Sequence, residues 1–360
     1  MIMINMFVSV DYLYKVVSFY TFIVITRAQE PRRSRVRHIS KKMKNNYFSV
    51  NNMKHFKFKN SNHLQSAICK KVLGHGGFAI VKLFQCKHCH EYDNICDKCF
   101  VIKELQMDLG NCIKKKKFLT TMLLNEYKIG SKLNHHNIIK TIDIDEKYNL
   151  LMLEYIIGID LLDYLNIHSC TNAEYLISSF YYALDGLEYM HNIGISHRDI
   201  KLENILLGKE SKDVKLIDFG QSFEFQKNGK YQYSYDLCGT ECYFPPEYYN
   251  SLEYMPDKVD VWCSGIVFYN LLYNCVPWEY TRRSKDKIYE TCYYYFKNNE
   301  LDPITFNSNN YKMNVDEKDI DIINDIFKSV FKLKPSKRIT IKEFKEKISK
   351  LSLCKPLQNS

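Results

Sequence analysis

The sequence has no apolar run long enough to cross a bilayer unaided. The cleanest, VVSFYTFIVIT at 16–26, falls short of the roughly 20 residues that a spanning helix needs. It has no secretory leader of the usual polarity. Positive charge should precede the apolar run, and here it follows, at Arg27, Arg32, Arg33 and Arg35. No internal repeat is visible, which sets aside solenoids and propellers. No nucleic-acid-binding motif is present. The 13 cysteines are an odd number without the spacing of a secreted disulfide scaffold. A reducing, cytoplasmic setting with one metal candidate suits them better.

What remains is a chain of 360 residues, 46% hydrophobic, with ample material for one large or bilobal core. The net charge of +10 comes partly from RAQEPRRSRVRHISKKMK at 27–44, which reads as a solvated or loosely interacting tail. Residues 1–64 form an N-terminal extension, apolar over 1–26 and basic over 27–44. Three readings of it stay open. It is a weak membrane anchor with its basic flank in the cytosol, or an amphipathic or buried segment, or the true start is Met43 or Met53. Weak membrane association through 1–44 is the expectation under the first.

From residue 66 the pattern is regular. AICKKVLGHGGFAIVKLFQC reads as strand, glycine turn, strand; FVIKEL is a further strand; IIKTIDIDEKYNLLMLEYI is two strands around a polar turn. FLTTMLLNEYKIGSKL has helical spacing between them. After residue 160 the chain is mainly helical, as in AEYLISSFYYALDGLEYMHNIG, DKVDVWCSGIVFYNLLYN and EKDIDIINDIFKSVFKL. A small strand-rich lobe (66–153) followed by a larger helical lobe (157–350) is an α+β arrangement, with 351–360 as a tail.

LGHGGFAIV at 73–81 lets the backbone at Gly74, Gly76 and Gly77 lie close to phosphates, flanked by Leu73, His75 and Val81. Such glycine turns are common, and Ala79 stands where a third glycine is usual. HRDIKLEN (197–204) and DFG (218–220) are far more specific. Asp199 accepts a proton from an attacking hydroxyl, and Lys201 neutralises charge on a moving phosphoryl group. Asn204 and Asp218 offer hard oxygens to magnesium. Lys103 in FVIKEL then meets the α- and β-phosphates, and Glu126, on a helical pattern, suits an ion pair to it.

With these motifs in this order, residues 66–350 resemble the eukaryotic protein kinases. The resemblance implies a bilobal fold, a small strand-rich lobe with one main helix and a larger helical lobe, with ATP and Mg2+ as cofactors and adenine between the lobes. It implies a hinge at LEYIIGID, with Leu153 as gatekeeper, backbone bonds to adenine from Glu154 and Ile156, and Asp160 near the ribose or a basic substrate residue. It further implies that Glu247 of PPE pairs with Arg338 and that Asp260 braces the catalytic loop. Lys201 and Thr240 resemble the serine/threonine class, and Glu203 with Asp160 suggests protein substrates with basic flanks around a Ser or Thr acceptor. KKFLTTMLLNEYKIGSKLNHHNIIKTIDI, Cys238–Gly239 before PPE, and KPSKRIT are similar to the fungal halotolerance and nutrient-permease-regulating kinases, which act on ion and nutrient transport.

Two departures stand out. Asp236 lies three residues before Gly239, where many relatives carry a threonine that must be phosphorylated to engage the arginine here numbered Arg198. A carboxylate there carries part of a phosphate's charge, so Asp236 is expected to pair with Arg198 and leave the chain at least partly active without phosphorylation; the alternative is a simply exposed Asp236. Ser234 and Tyr235 are alternative phosphosites. The second is the Cys-rich insert at 86–99, CKHCHEYDNICDKC, which runs into the strand bearing Lys103. Cys86, Cys89, Cys96 and Cys99 form two Cys-x-x-Cys pairs that suit a closed structural zinc site, with His88 and His90 as substitutes. The alternative is a polar loop with free thiols. A pseudokinase scaffold, binding partners without catalysis, is the competing function. It would require a broken catalytic set, and all five of Lys103, Glu126, Asp199, Asn204 and Asp218 are present.

Overall fold

The computed structural model describes residues 67–75, 79–85, 99–106 and 113–355. The N-terminal extension, most of the Cys-rich insert and the last five residues lie outside them. The chain divides into two compact units, the first taking in residues up to Leu123 and Thr141–Tyr155, the second Leu124–Lys140 and everything from Ile156.

The first unit is built on an antiparallel sheet in the order β1-β2-β3-β5-β4. Its strands are β1 (Ile68–His75), β2 (Ala79–Gln85), β3 (Cys99–Leu105), β4 (Thr141–Asp145) and β5 (Leu150–Glu154). Side chains alternate across a strand, so Phe100 and Ile102 share a face. With Ala67, Phe84, Leu150 and Met152 they form a buried cluster, in which the rings of Phe84 and Phe100 stack at 5.7 Å. Helix α1 (Ile113–Gly130) adds Leu119 and Leu123 to the buried set, and Thr120 Oγ1 donates to Asn149 Oδ1 in the β4–β5 turn at 3.1 Å.

The register decides what the sheet presents. Val81 lies opposite Lys103, and Lys103 opposite Leu151. On the other face of β3, Glu104 takes Lys82 at 2.6 Å. Gln85 is paired with Cys99, so the chain leaves and rejoins the sheet at neighbouring points around residues 86–98.

The second unit carries the helices α2 (Leu161–His168), α3 (Ala173–Asn192), α4 (Glu247–Asn250), α5 (Pro256–Tyr273), α6 (Lys287–Lys297), α7 (Glu317–Val330) and α8 (Ile341–Ile348). From Lys258 to Tyr273 every residue of α5 is buried, which marks it as the central helix. Proline opens it and a left-handed Asn274 closes it. Phe268 of α5 stacks on Phe180 of α3 at 5.8 Å, and Phe344 of α8 meets Phe180 edge-on at 5.7 Å. Gly265 lets α7 approach: a Cβ there would come within 2.8 Å of Val330.

Seven short strands complete this unit: β6 (Ile159–Asp160), β7 (Ile195–Ser196), β8 (Ile205–Leu207), β9 (Val214–Leu216), β10 (Phe223–Glu224), β11 (Gln226–Lys227) and β12 (Lys230–Tyr231). They pair as β6-β8-β9, β7-β10 and β11-β12. The sequence pattern does not reveal them, because two or three residues are too few to show a period.

Candidate active site

A buried carboxylate on α5 organises the loop that follows β7. Asp260 has no solvent exposure, and its two oxygens accept from His197 N (2.8 Å), Arg198 N (2.7 Å) and His191 Nε2 (2.8 Å). The loop turns sharply there. Arg198 holds a φ of 64°, and Asp218, beyond β9, one of 66°, left-handed values that few non-glycine residues adopt. His197 spans the turn, with Nδ1 accepting from Asp199 N at 3.3 Å and Nε2 donating to Ile217 O at 3.0 Å.

Three side chains converge on Asp199. Lys201 Nζ donates to Asp199 Oδ2 at 2.8 Å and to Thr240 Oγ1 at 3.0 Å. Thr240 Oγ1 donates in turn to Asp199 Oδ1 at 3.4 Å. Asn204 Nδ2 donates to Asp199 O at 2.8 Å and Oδ2 at 3.1 Å. Burial works against the Lys201 charge, but Asp199 beside it, with Glu203 and Asp218, raises its pKa, so it stays a cation. The arrangement presents a carboxylate with an adjacent fixed positive charge and a hydroxyl, the equipment for taking a proton from one oxygen while charge moves on another.

The protein kinase domain family matches residues 68–348. The chain belongs to the protein kinase family. It is similar to the serine/threonine-protein kinase HAL4/SAT4 of Saccharomyces cerevisiae, 32% identical over 56% of this chain and 34% of that protein. The nitrogen permease reactivator protein of the same yeast is 34% identical over 58% of this chain and 25% of its own length. The serine/threonine-protein kinase PRR2 of that yeast is 29% identical over 75% and 40%. The chain thus spans about a quarter to two fifths of the length of these relatives.

In this kinase the remaining sequence-derived positions fall as follows. Leu73, Gly74 and His75 lie on β1, where Leu73 is exposed, and Val81 is half-buried on β2. Gly76 and Gly77 lie outside the described residues, as do Cys86, Cys89, Cys96, His88 and His90; Cys99 opens β3. Lys103 belongs to the first unit, whereas Glu126, buried on α1, counts with the second. Glu154 ends β5 and Ile156 begins the second unit. Asp160 caps α2, accepting from Asp163 N at 2.9 Å, and burial raises its pKa. Burial likewise raises that of Glu203, against the pull of Lys201. Glu247 and Arg338 form a bidentate pair, both bonds 2.6 Å, with the guanidinium 4.8 Å from the Trp262 ring.

Ser234 is buried, its hydroxyl 2.5 Å from Asp236 Oδ1 and 2.8 Å from Arg198 Nη1. Tyr235 is exposed. The sequence reading also missed Asn125. Its Nδ2 donates to Gly220 O and Ser222 O at 3.1 and 2.9 Å, pinning the segment after Asp218 to α1. The one signal for it is its place beside Glu126.

Among the described residues, His135, His136 and Asp185 lie close enough together for a metal ion. The hydrogen bonding opposes one. His135 Nδ1 accepts from Asn137 N at 3.1 Å, so the neutral ring carries its hydrogen on Nε2, 3.4 Å from Asp185. Lys345 already occupies Asp185 Oδ1 at 2.5 Å. Among the described residues no helix is long and apolar enough to cross a membrane.

Proposed function

We propose that this chain is an active serine/threonine protein kinase, transferring the γ-phosphoryl group of ATP to Ser or Thr hydroxyls of proteins. The observation that carries this is the convergence of Lys201, Asn204 and Thr240 on the Asp199 carboxylate. Asp199 orients the acceptor hydroxyl and takes its proton. Lys201 offsets charge on the transferred group, and Thr240 ties the segment after Gly239 to both. Lys103 and Glu126, with Leu73, Gly74, His75, Gly76, Gly77, Val81, Glu154, Ile156 and Asp160, serve nucleotide binding. A scaffold without catalysis finds no support in a set so closely joined.

Magnesium fits the donors on hand. The Asn204 amide commits its nitrogen to Asp199, which leaves the oxygen for a cation, and Asp218 adds a carboxylate. The ion would neutralise charge on the nucleotide phosphates. A structural zinc at Cys86, Cys89, Cys96 and Cys99 is supported by their spacing and by the register of Gln85 with Cys99, which brings the ends of the insert together. Glu203 and Asp160 favour substrates with basic flanks. Similarity to a nitrogen permease reactivator supports targets in ion or nutrient transport.

The test is transfer of labelled phosphate from ATP onto a degenerate Ser/Thr peptide library. Wild type is expected to label it in a magnesium-dependent way, and Asp199→Asn to lose at least about 100-fold in kcat. Equal labelling by Asp199→Asn, or none by a folded, ATP-binding wild type, would overturn the assignment.

A further inference from the structure

Arg198 is buried and adjoins Asp199 in the chain. Its Nε donates to Gln221 O at 2.6 Å, and its plane lies 5.0 Å from the Phe223 ring. The hydrogens of Nη1 are shared among Ser234 Oγ (2.8 Å), Asp236 Oδ1 (2.8 Å) and Tyr254 Oη (2.9 Å). Tyr254, itself buried, donates back to Asp236 O at 2.6 Å. Among the described residues, Asp236 is the one carboxylate in ion-pair reach of Arg198.

The backbone closes the same circle. Ser234 and Tyr254 exchange both N–H···O bonds, at 3.1 and 2.9 Å. Further along, Gly239 (φ 96°) lies so close to the loop that a Cβ would stand 3.0 Å from Arg198 O. Thr240 then reaches Lys201 and Asp199. The stretch 234–240 is therefore fastened to the catalytic loop at both ends, at Arg198 and at Asp199, by side chains the protein already has.

From this we infer that Asp236, Ser234 and Tyr254 are positioning residues, which hold Arg198 and through it Asp199, so that 234–240 is ordered without a phosphate. This rests on the kinase reading above. Asp236 keeps 60% of its side chain open to solvent, so the pair is screened and its contribution to stability is small. The loss on substitution should appear in the rate of transfer and not in the melting temperature.

The experiment uses the full chain, treated with phosphatase and shown by mass spectrometry to carry no phosphate on 226–240. Treated wild type should retain its kcat within about twofold. Asp236→Asn should lower kcat by about tenfold, with KM for ATP nearly unchanged and Asp236→Glu recovering part of the loss. Tyr254→Phe, the mildest change, should lower kcat several-fold. Hydrogen exchange of amides 232–240 should quicken in Asp236→Asn and Tyr254→Phe, a readout that needs no activity. Collapse of kcat on phosphatase treatment, or full kcat and unchanged exchange in both variants, overturns the inference. A wild type inactive in every state, with exchange still faster in the variants, would sink the kinase reading and with it the effect on transfer, leaving only the ordering of 234–240 by these side chains.

Discussion

Single side chains in this protein act by where their neighbours hold them. Asp260 shows this most plainly, since it has no exposure and receives three N–H donors. Asp260→Asn would turn an NH2 group toward donors and remove the charge that offsets them. It should cost about 2–4 kcal/mol and lower Tm by on the order of 10 °C, with activity falling further than stability alone explains. Thermal melts paired with transfer assays check this, and an unshifted Tm would show that Asp260 is not bracing the loop. Asp199, Asn204 and Asp218 were legible because HRDIKLEN and DFG are fixed strings. Tyr254 and Asn125 were not, because nothing local distinguishes them from other polar residues on a turn or a helix.

At the scale of elements, α1, α3 and α8 are joined through Asp185. It accepts from Lys345 of α8 and faces His135 just beyond α1, and Lys345 also meets Glu188 at 2.5 Å. The His135 contact, against burial and with help from Lys345, holds the Asp185 carboxyl well below its ordinary 3.8. A depressed folded pKa means stability that is present above about pH 4 and is lost as pH falls below it. Denaturation at stepped pH should therefore show an acid limb that Asp185→Asn flattens by on the order of 1–2 kcal/mol between pH 5 and 2. Identical limbs would remove Asp185 from the account. The long helices were legible from their apolar spacing; α5, buried on nearly all sides, shows less of a stripe and was carried by length and composition. The two-residue strands were invisible, since their pairing is set by partners tens of residues away.

For the molecule as a whole, the Cys-rich insert at 86–99 is the candidate for a structural metal. If zinc closes it, the purified full chain should hold about one zinc per molecule by elemental analysis. Cys86→Ser with Cys96→Ser should release it, and lower Tm by several degrees as the base of β3 loses its staple. A metal-free wild type with the same Tm as the double variant would leave only a polar loop with thiols. The insert does not disturb the sheet: Val81 and Lys103, 22 positions apart (103 − 81), are still directly opposite. Strand register follows from which faces must be buried, not from loop length.

By itself the sequence determined the α+β class, the helices and strands of any length, and the identity of the residues around Asp199. Those follow from hydrophobic period and from short strings whose chemistry is local. Only the tertiary structure decided which further groups, outside those strings, meet across long separations. It buried Ser234, gave Arg198 the hydroxyl of Tyr254, and tied Asn125 to Gly220 and Ser222. Such pairings depend on how helices and loops pack once the core has closed, and a linear pattern holds no record of that distance.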